Sequence, residues 1–534
     1  MKRVSLEELL QKDFMLIAFY SLISLFIGSL FIQKHFGLSP DSFGYIDIAE
    51  NIVRGNGFVL HGGSYLSNTL IHPLSEWMPL YPLFISFFIK IGLDSTLSAR
   101  LVPVIFLALI PFPMYYLAKG LYGRTIAHAS TIYLIFLWAL IYCGSYAWTE
   151  TAFIFFTLVS ILFLSQLEIP SSDKSVTARS NIISFLSGIF IGFAYLTKGN
   201  GVLLIPIAFF AIFFLISPIR NKIKCLLLLL IGFSLVSSLW WIRNYFIFSN
   251  PLYYGQSSLF HIPTLQSFLH FPYVYGIGLF PLVLCLPYSL RYIFNMNERK
   301  KFLLLASYPV IMTLFFSGWV YYDMRLLSPT FPFLIIIGMK SLFDIVEWIK
   351  GRLSKLNIFS SKRLIIALLI LFIMPQVIFD ISYYFYGTPN FLNHTHEKSV
   401  LEKMGAYKSI DWIKTNTNHD DVILSDVPSG LYYYTKRNVV WTGGGPYTKQ
   451  LNYSSFMDAV SRLNISYVVL FKEHTNREYS GDFVYNLSQG CNVPSNLDIV
   501  YDKGDAIIYR VKGDKTLNNA SNLSNLRYKS TKTH

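Results

Sequence analysis

The chain has 534 residues, 53% of them hydrophobic and 17% aromatic, and only 14% are charged. A soluble domain carries roughly a quarter charged residues, so this composition excludes an ordinary soluble globular protein. The net charge of +14 would raise nucleic acid as a partner of a soluble chain. Here the basic residues sit mostly in short segments between apolar runs, where membrane topology explains them, and no nucleic acid is expected.

Many apolar runs approach the ~20 residues that cross a bilayer as a helix. They are continuous rather than alternating, which excludes a membrane barrel and leaves helices to satisfy the backbone in lipid. The expected fold is an α-helical polytopic membrane protein with about 11–13 transmembrane helices and a C-terminal extracytoplasmic α/β domain. Four cysteines, Cys143, Cys225, Cys285 and Cys491, follow neither a disulfide framework nor zinc spacing.

The N-terminal stretch MKRVSLEELLQKDF is too acidic and polar for a secretory n-region. Residues 14–32 therefore read as an uncleaved first span. A polar, Gly-rich loop follows at 33–77, carrying Asp41, Asp47, Glu50 and Glu76. Long loops are often functional. Further candidate spans lie at 78–93, 101–118, 125–143, 147–167, 182–196, 201–217, 225–241, 273–288, 302–317, 327–340 and 364–381.

Two basic groups set the orientation: Arg291, Arg299, Lys300 and Lys301, then Lys350, Arg352, Lys355, Lys362 and Arg363. Both are expected in the cytoplasm. The N-terminus is then inside, and the residues around 243–271, around 322–325 and after 382 are outside. This needs an odd number of crossings, so a segment between 101 and 217 is expected to be re-entrant or part of a broken span. The sidedness of Lys198 stays open.

From about residue 384 the apolar runs shorten to strand length, at 421–425, 432–434, 438–441, 467–471, 497–501 and 505–511, with helical patterns at 404–415 and 455–463. That mixture predicts an α/β domain over 384–515, after a membrane module over 1–383. The polar tail 516–534 is expected to be disordered. Asn-X-Ser/Thr triplets occur at Asn393, Asn452, Asn464, Asn486, Asn519 and Asn522, all in this part.

Within the first loop, Tyr45, Ile48, Ala49 and Ile52 recur at helical spacing. Residues 41–53 read as a short amphipathic helix, preceded by Pro40, ended by Gly55 and Gly57, and able to lie flat on a membrane. Asp41 falls at its N-terminal end, where the helix dipole favours a carboxylate. The plain alternative is that Asp41 only caps the helix. Glu76 stands in EWMPLYP, just before the second span, and its plain alternative is an ordinary loop acid.

Asp41, Tyr45, Ala49 and Gly55, followed by PLYP at 79–82, resemble the first outer loop of GT-C glycosyltransferases. LTKGNG at 196–201, WWIRNYFIFSNPLYYG at 240–255, DMRLLSPTFPF at 323–333 and the tail phrase DVILSDVPSGLYYYTKRNVV extend the likeness. The branch is that of protein O-mannosyltransferases and lipid A aminoarabinose transferases, although Ser42 stands where many members have Glu.

The resemblance implies a membrane-embedded transferase that takes sugar from a polyprenyl-phosphate carrier, dolichyl or undecaprenyl. The acceptor is a protein, glycan or lipid outside the cytoplasm, and the anomeric centre is inverted. It implies Asp41 as the base, with Glu76 as a second acid. The departing lipid phosphate calls for cations, and Arg243, Arg325 and Lys198 are the candidates. An interfacial arginine can equally snorkel to head groups, and Lys198 can sit in a simple turn beside Gly199 and Gly201. Tyr45, Tyr81 and Tyr322 are candidate substrate contacts, with an aromatic belt as the alternative for Tyr322.

No metal ligand spacing is seen among His61, His72, His261, His270, His394 and His396. No cofactor is expected beyond the lipid-linked donor, since Walker and dinucleotide motifs are missing. The expected location is the plasma membrane, multi-pass. A transporter or flippase for a lipid-linked or small solute is the main competing reading. It would place ionisable residues at mid-span, of which Glu150 is the nearest example.

Overall fold

Backbone groups in lipid must bond within their own segment, so the apolar runs fold as helices. The computed structural model describes residues 6–34, 38–65, 69–75, 77–167, 174–215, 219–252, 265–318, 324–352, 361–386, 407–443, 450–472, 475 and 477–512. Glu76 and Tyr322, two of the candidate site residues, lie outside this set. Contacts divide the chain into two units: Met1–Val59 with Pro73–Ser399, and Leu60–His72 with Val400–His534.

The first unit is helical. Among the described residues, 7 helices are long and apolar enough to cross a membrane, or up to 9 if each of two bent pairs is one span. Leu80–Lys90, Glu150–Ser165 and Gly199–Phe214 are apolar but shorter. Length and composition in the structure thus support fewer full spans than the sequence nominates. One bent pair, Arg124–Ile135 with Trp138–Ser145, turns by 49° inside the stretch where a broken span is expected. The sharper break, 113°, lies elsewhere, between Phe271–Leu279 and Leu282–Ile293.

Small residues set the closest helix contact. A Cβ on Gly188 would lie 2.0 Å from the Leu229 carbonyl oxygen, and one on Gly232 would lie 2.3 Å from that of Phe185. The helices Lys174–Thr197 and Ile219–Phe248 therefore meet backbone to backbone, as small residues allow within a bilayer. This pairing fixes the two helices whose C-terminal ends lead to Lys198 and carry Arg243.

The second unit is an α/β sandwich. Strands β3 (Val422–Ser425), β4 (Asn438–Trp441), β5 (Ile465–Phe471), β6 (Leu497–Asp502) and β7 (Ala506–Val511) form one sheet in the order β4-β3-β5-β7-β6. The strands β1 (Val59–His61) and β2 (Ile71–Pro73) of the first loop pair separately. In the large sheet, β3 runs parallel to β4 and β5, and β7 is antiparallel to β5 and β6. Alternate residues feed two cores. Val422, Leu424, Val468 and Leu470 join Phe456 and Leu487 on one face. Ile423, Val469 and Phe471 join Ile413 and Leu431 on the other. Burial on both faces explains why β3 reads as an unbroken apolar run.

One expectation for this domain is corrected. Residues 432–434 belong to the helix Pro428–Thr435, not to a strand. Three tyrosines suggest a strand by propensity, but Pro428 at the first helical position and Lys436 in the left-handed conformation frame a helix. A further helix, Arg477–Ser488, escapes a periodicity reading because Gly481 breaks its regularity at φ 79°.

Candidate active site

The first-loop helix spans Pro40–Val53 and starts on a capping box. The Ser42 amide donates to Ser39 Oγ at 3.3 Å, and the Ser39 amide donates to Ser42 Oγ at 3.2 Å. Ser39 is thus the cap, and Asp41 lies free of that duty in the first turn. Phe43, Gly44, Ile46, Asp47, Ile48, Ala49 and Asn51 are all buried, so protein covers most of the helix circumference.

A second segment docks on the start of this helix. The Trp148 indole N–H donates to Ser39 Oγ at 2.6 Å, and Ser42 Oγ donates to the Ala147 carbonyl at 3.3 Å. Trp148 stacks on Tyr146 at 4.3 Å and meets Tyr142 edge-on. Tyr383 OH bonds Ser145 Oγ at 2.7 Å, which ties the last described helix of the first unit, Ser361–Tyr386, to the same turn.

On this base the charges converge. Asp41 Oδ2 accepts from Arg325 Nη1 at 2.8 Å, with both side chains partly exposed. The Arg325 guanidinium lies 4.8 Å over the Trp148 ring, a stacking that favours arginine over lysine. Two residues after Trp148, buried Glu150 opens its helix and accepts from Lys198 Nζ at 2.7 Å. Lys198 occupies the break between two apolar helices with extended backbone, φ −153° and ψ 126°.

Tyr45 faces the same region. Burial pushes its phenol well above the ordinary range, with the Asp41 and Glu150 charges adding and Arg325 and Thr149 opposing. Its ring packs 4.7 Å from Trp77 and 5.0 Å from Tyr81. Tyr81 is fully buried and donates its hydroxyl to the Ala99 carbonyl at 3.1 Å. In that position Tyr81 backs the Tyr45 ring.

Trp77 also explains Gly44. A Cβ there would fall 2.0 Å from the indole ring. Gly44→Val should displace Trp77 and lower stability by ~1–3 kcal/mol, the usual cost of overpacking. A thermal melt of the purified variant checks this.

Arg243 holds loop backbone. One guanidinium nitrogen donates to the Leu74 carbonyl and to Asn244 Oδ1, and the other to the Phe58 carbonyl. Of the three expected phosphate cations, the structure brings Arg325 to Asp41, brings Lys198 to the neighbouring Glu150, and directs Arg243 to loop backbone. Sequence reasoning missed Trp148 and Thr149. The signal near them was Glu150, an acid heading an apolar run.

The structure defines a helical membrane protein of the GT-C fold, carrying an acid and paired cations where its first loop meets the membrane helices. Residues 71–250 match the family described as dolichyl-phosphate-mannose-protein mannosyltransferase. A comparison with curated proteins found no match. Among solved structures, the chain is similar to ArnT from Cupriavidus metallidurans bound to undecaprenyl phosphate. The TM-score is 0.60 at 13% identity, covering 93% of this chain and 98% of that one. It is also similar to the oligosaccharyltransferase AglB from Archaeoglobus fulgidus in complex with an inhibitory peptide and a dolichol-phosphate, with TM-score 0.56 and 13% identity over 85% of this chain and 69% of that one. Arabinofuranosyltransferase AftD from Mycobacteria gives TM-score 0.54 at 12% identity, covering 93% of this chain and 40% of that one.

Proposed function

We propose that this protein is an integral-membrane glycosyltransferase using a polyprenyl-phosphate sugar and acting outside the cytoplasm. The observation that carries the reading is the Asp41–Arg325 pair over Trp148, with Lys198 and Glu150 adjoining. An acceptor hydroxyl or amine attacks the anomeric carbon as its proton passes to the Asp41 carboxylate. The bond from that carbon to the phosphate oxygen breaks, and polyprenyl phosphate leaves with the electron pair. Arg325 releases Asp41 and follows the developing phosphate charge, and Lys198 adds a second cation. Tyr45 lines the approach, Glu76 serves as second acid, and Tyr322 contacts the substrate. Attack opposite the phosphate inverts the centre.

The test incubates purified protein in proteoliposomes with polyprenyl-phosphate sugars labelled in the sugar. Transfer with inversion by the wild type is expected. Release of intact donor across the membrane without covalent change would instead favour a transporter. Mass spectrometry of surface glycans in a deletion strain names sugar and acceptor.

An extracytoplasmic orientation is supported by the clustering of charges expected on each side. Asp41 and Arg325, both expected outside, meet directly. Lys301 and Lys340 lie 5.5 and 5.9 Å over Tyr122, and Lys340 shares Asp344 with Arg291. Of the four cysteines, Cys491 alone is exposed. A membrane-impermeant maleimide should label intact cells at Cys491, and Cys491→Ser should abolish the signal. Labelling only after lysis would reverse the orientation.

A further inference from the structure

We propose that Arg243 is a positioning residue that closes the neck of the Asp41 loop, and that the outer unit anchors the far end of that loop. The inference rests on reading Asp41 as the base.

The neck is built from both directions. The forked guanidinium of Arg243 holds the Phe58 carbonyl at 3.0 Å with one nitrogen and the Leu74 carbonyl with the other. Its plane rests 4.7 Å from Trp240, 5.4 Å from Phe248 and 5.5 Å from Phe58. These carbonyls flank β1 and β2, the two strands of the neck. The Asp41 helix is tied to the same place. In its last turns Asn51 Nδ2 donates to the Val59 carbonyl at 3.3 Å and to Asp47 Oδ1 at 3.1 Å, and Asn56 Nδ2 bonds Asn51 Oδ1 at 3.0 Å.

Beyond the neck the loop belongs to the outer unit. Ser64 pairs in parallel with Trp441 of β4, the edge of the large sheet. The Tyr65 amide donates to the Trp441 carbonyl, and the Trp441 amide donates to that of Gly63, each at 2.9 Å. The Tyr65 ring is wholly buried in the sheet's core, and Arg462 Nη2 holds the Tyr65 carbonyl at 2.7 Å. A loop that adds itself to an open sheet edge gains main-chain bonds and a side-chain pocket. The segment 58–74 that follows the Asp41 helix is therefore held by an arginine fork at its neck and by strand addition at its tip.

Lysine discriminates this role from phosphate binding. An ammonium keeps the charge a phosphate needs but is not a rigid fork that spans two carbonyls. We would compare wild type with Arg243→Lys, Arg243→Ala and Arg462→Ala by hydrogen exchange, undecaprenyl-phosphate affinity and sugar transfer. Both Arg243 variants are expected to exchange amides of 54–65 and 69–75 about tenfold faster or more. Transfer should fall while affinity for undecaprenyl phosphate moves less than about twofold. Arg462→Ala, a change at the surface of the outer unit, should speed exchange across 60–65 with carrier affinity unchanged. Wild-type exchange in Arg243→Lys, or carrier affinity lost in Arg243→Ala and kept in Arg243→Lys, overturns the proposal. So does wild-type exchange at 60–65 in Arg462→Ala. Should the Arg243 variants fail to fold, that last comparison still decides the anchoring of the tip. Full transfer by Asp41→Asn would sink the base assignment and leave the exchange results standing.

Discussion

Asp41→Asn is expected to lower sugar transfer by about 10²–10⁴-fold, the usual contribution of a positioned base, with little change in melting temperature. The amide keeps the size of the carboxylate and one acceptor oxygen for Arg325, but it cannot take the acceptor's proton. Asp41 does not cap its helix, because Ser39 and Ser42 do. Its ion pair with Arg325 is partly exposed, with side-chain exposures of 35% and 24%, and such a pair is worth only ~0–1 kcal/mol. Stability and activity should therefore separate cleanly. Full transfer by a variant that melts like the wild type would remove Asp41 from the reaction.

The second large effect is expected at the Glu150–Lys198 pair. The Glu150 side chain is 3% exposed and that of Lys198 22%. Lys198→Ala leaves a buried carboxylate without its cation, a loss typically of ~3–5 kcal/mol. The residual water contact of Lys198 points to the lower end. The double variant Glu150→Gln, Lys198→Ala should recover much of the melting temperature, since the charge that suffered is gone. It should not recover transfer, because the cation we propose for the leaving phosphate stays missing. Recovery of both would make the pair purely structural. An unchanged melt in Lys198→Ala would show that Glu150 is satisfied elsewhere.

The short-range features were legible because their causes are local. Pro40 before an apolar period and the glycines after it announce the Pro40–Val53 helix. Apolar runs at 421–425, 438–441 and 467–471 announce β3, β4 and β5. The tyrosines at 432–434 misled because the helix there depends on packing of Leu431 and Tyr432 against the sheet, which propensity does not contain. Arg325 was a candidate from its place before an apolar run, yet nothing local pairs it with Asp41. Arg243 was a candidate on the same grounds, and the structure gives it two backbone carbonyls instead.

The sequence by itself determined the solvent of each part: long apolar runs demand lipid, and mixed short runs demand water. It also chose the chemistry available, because only a few acids and cations stand beside the spans. The tertiary structure decided which of these meet. Asp41 reaches Arg325, Glu150 reaches Lys198, and Gly63 to Tyr65 reach the β4 edge through packing between segments far apart in the chain. Such contacts depend on the shapes of surfaces that exist only once helices and sheet have assembled, and a periodicity read along one strand of sequence carries no record of them.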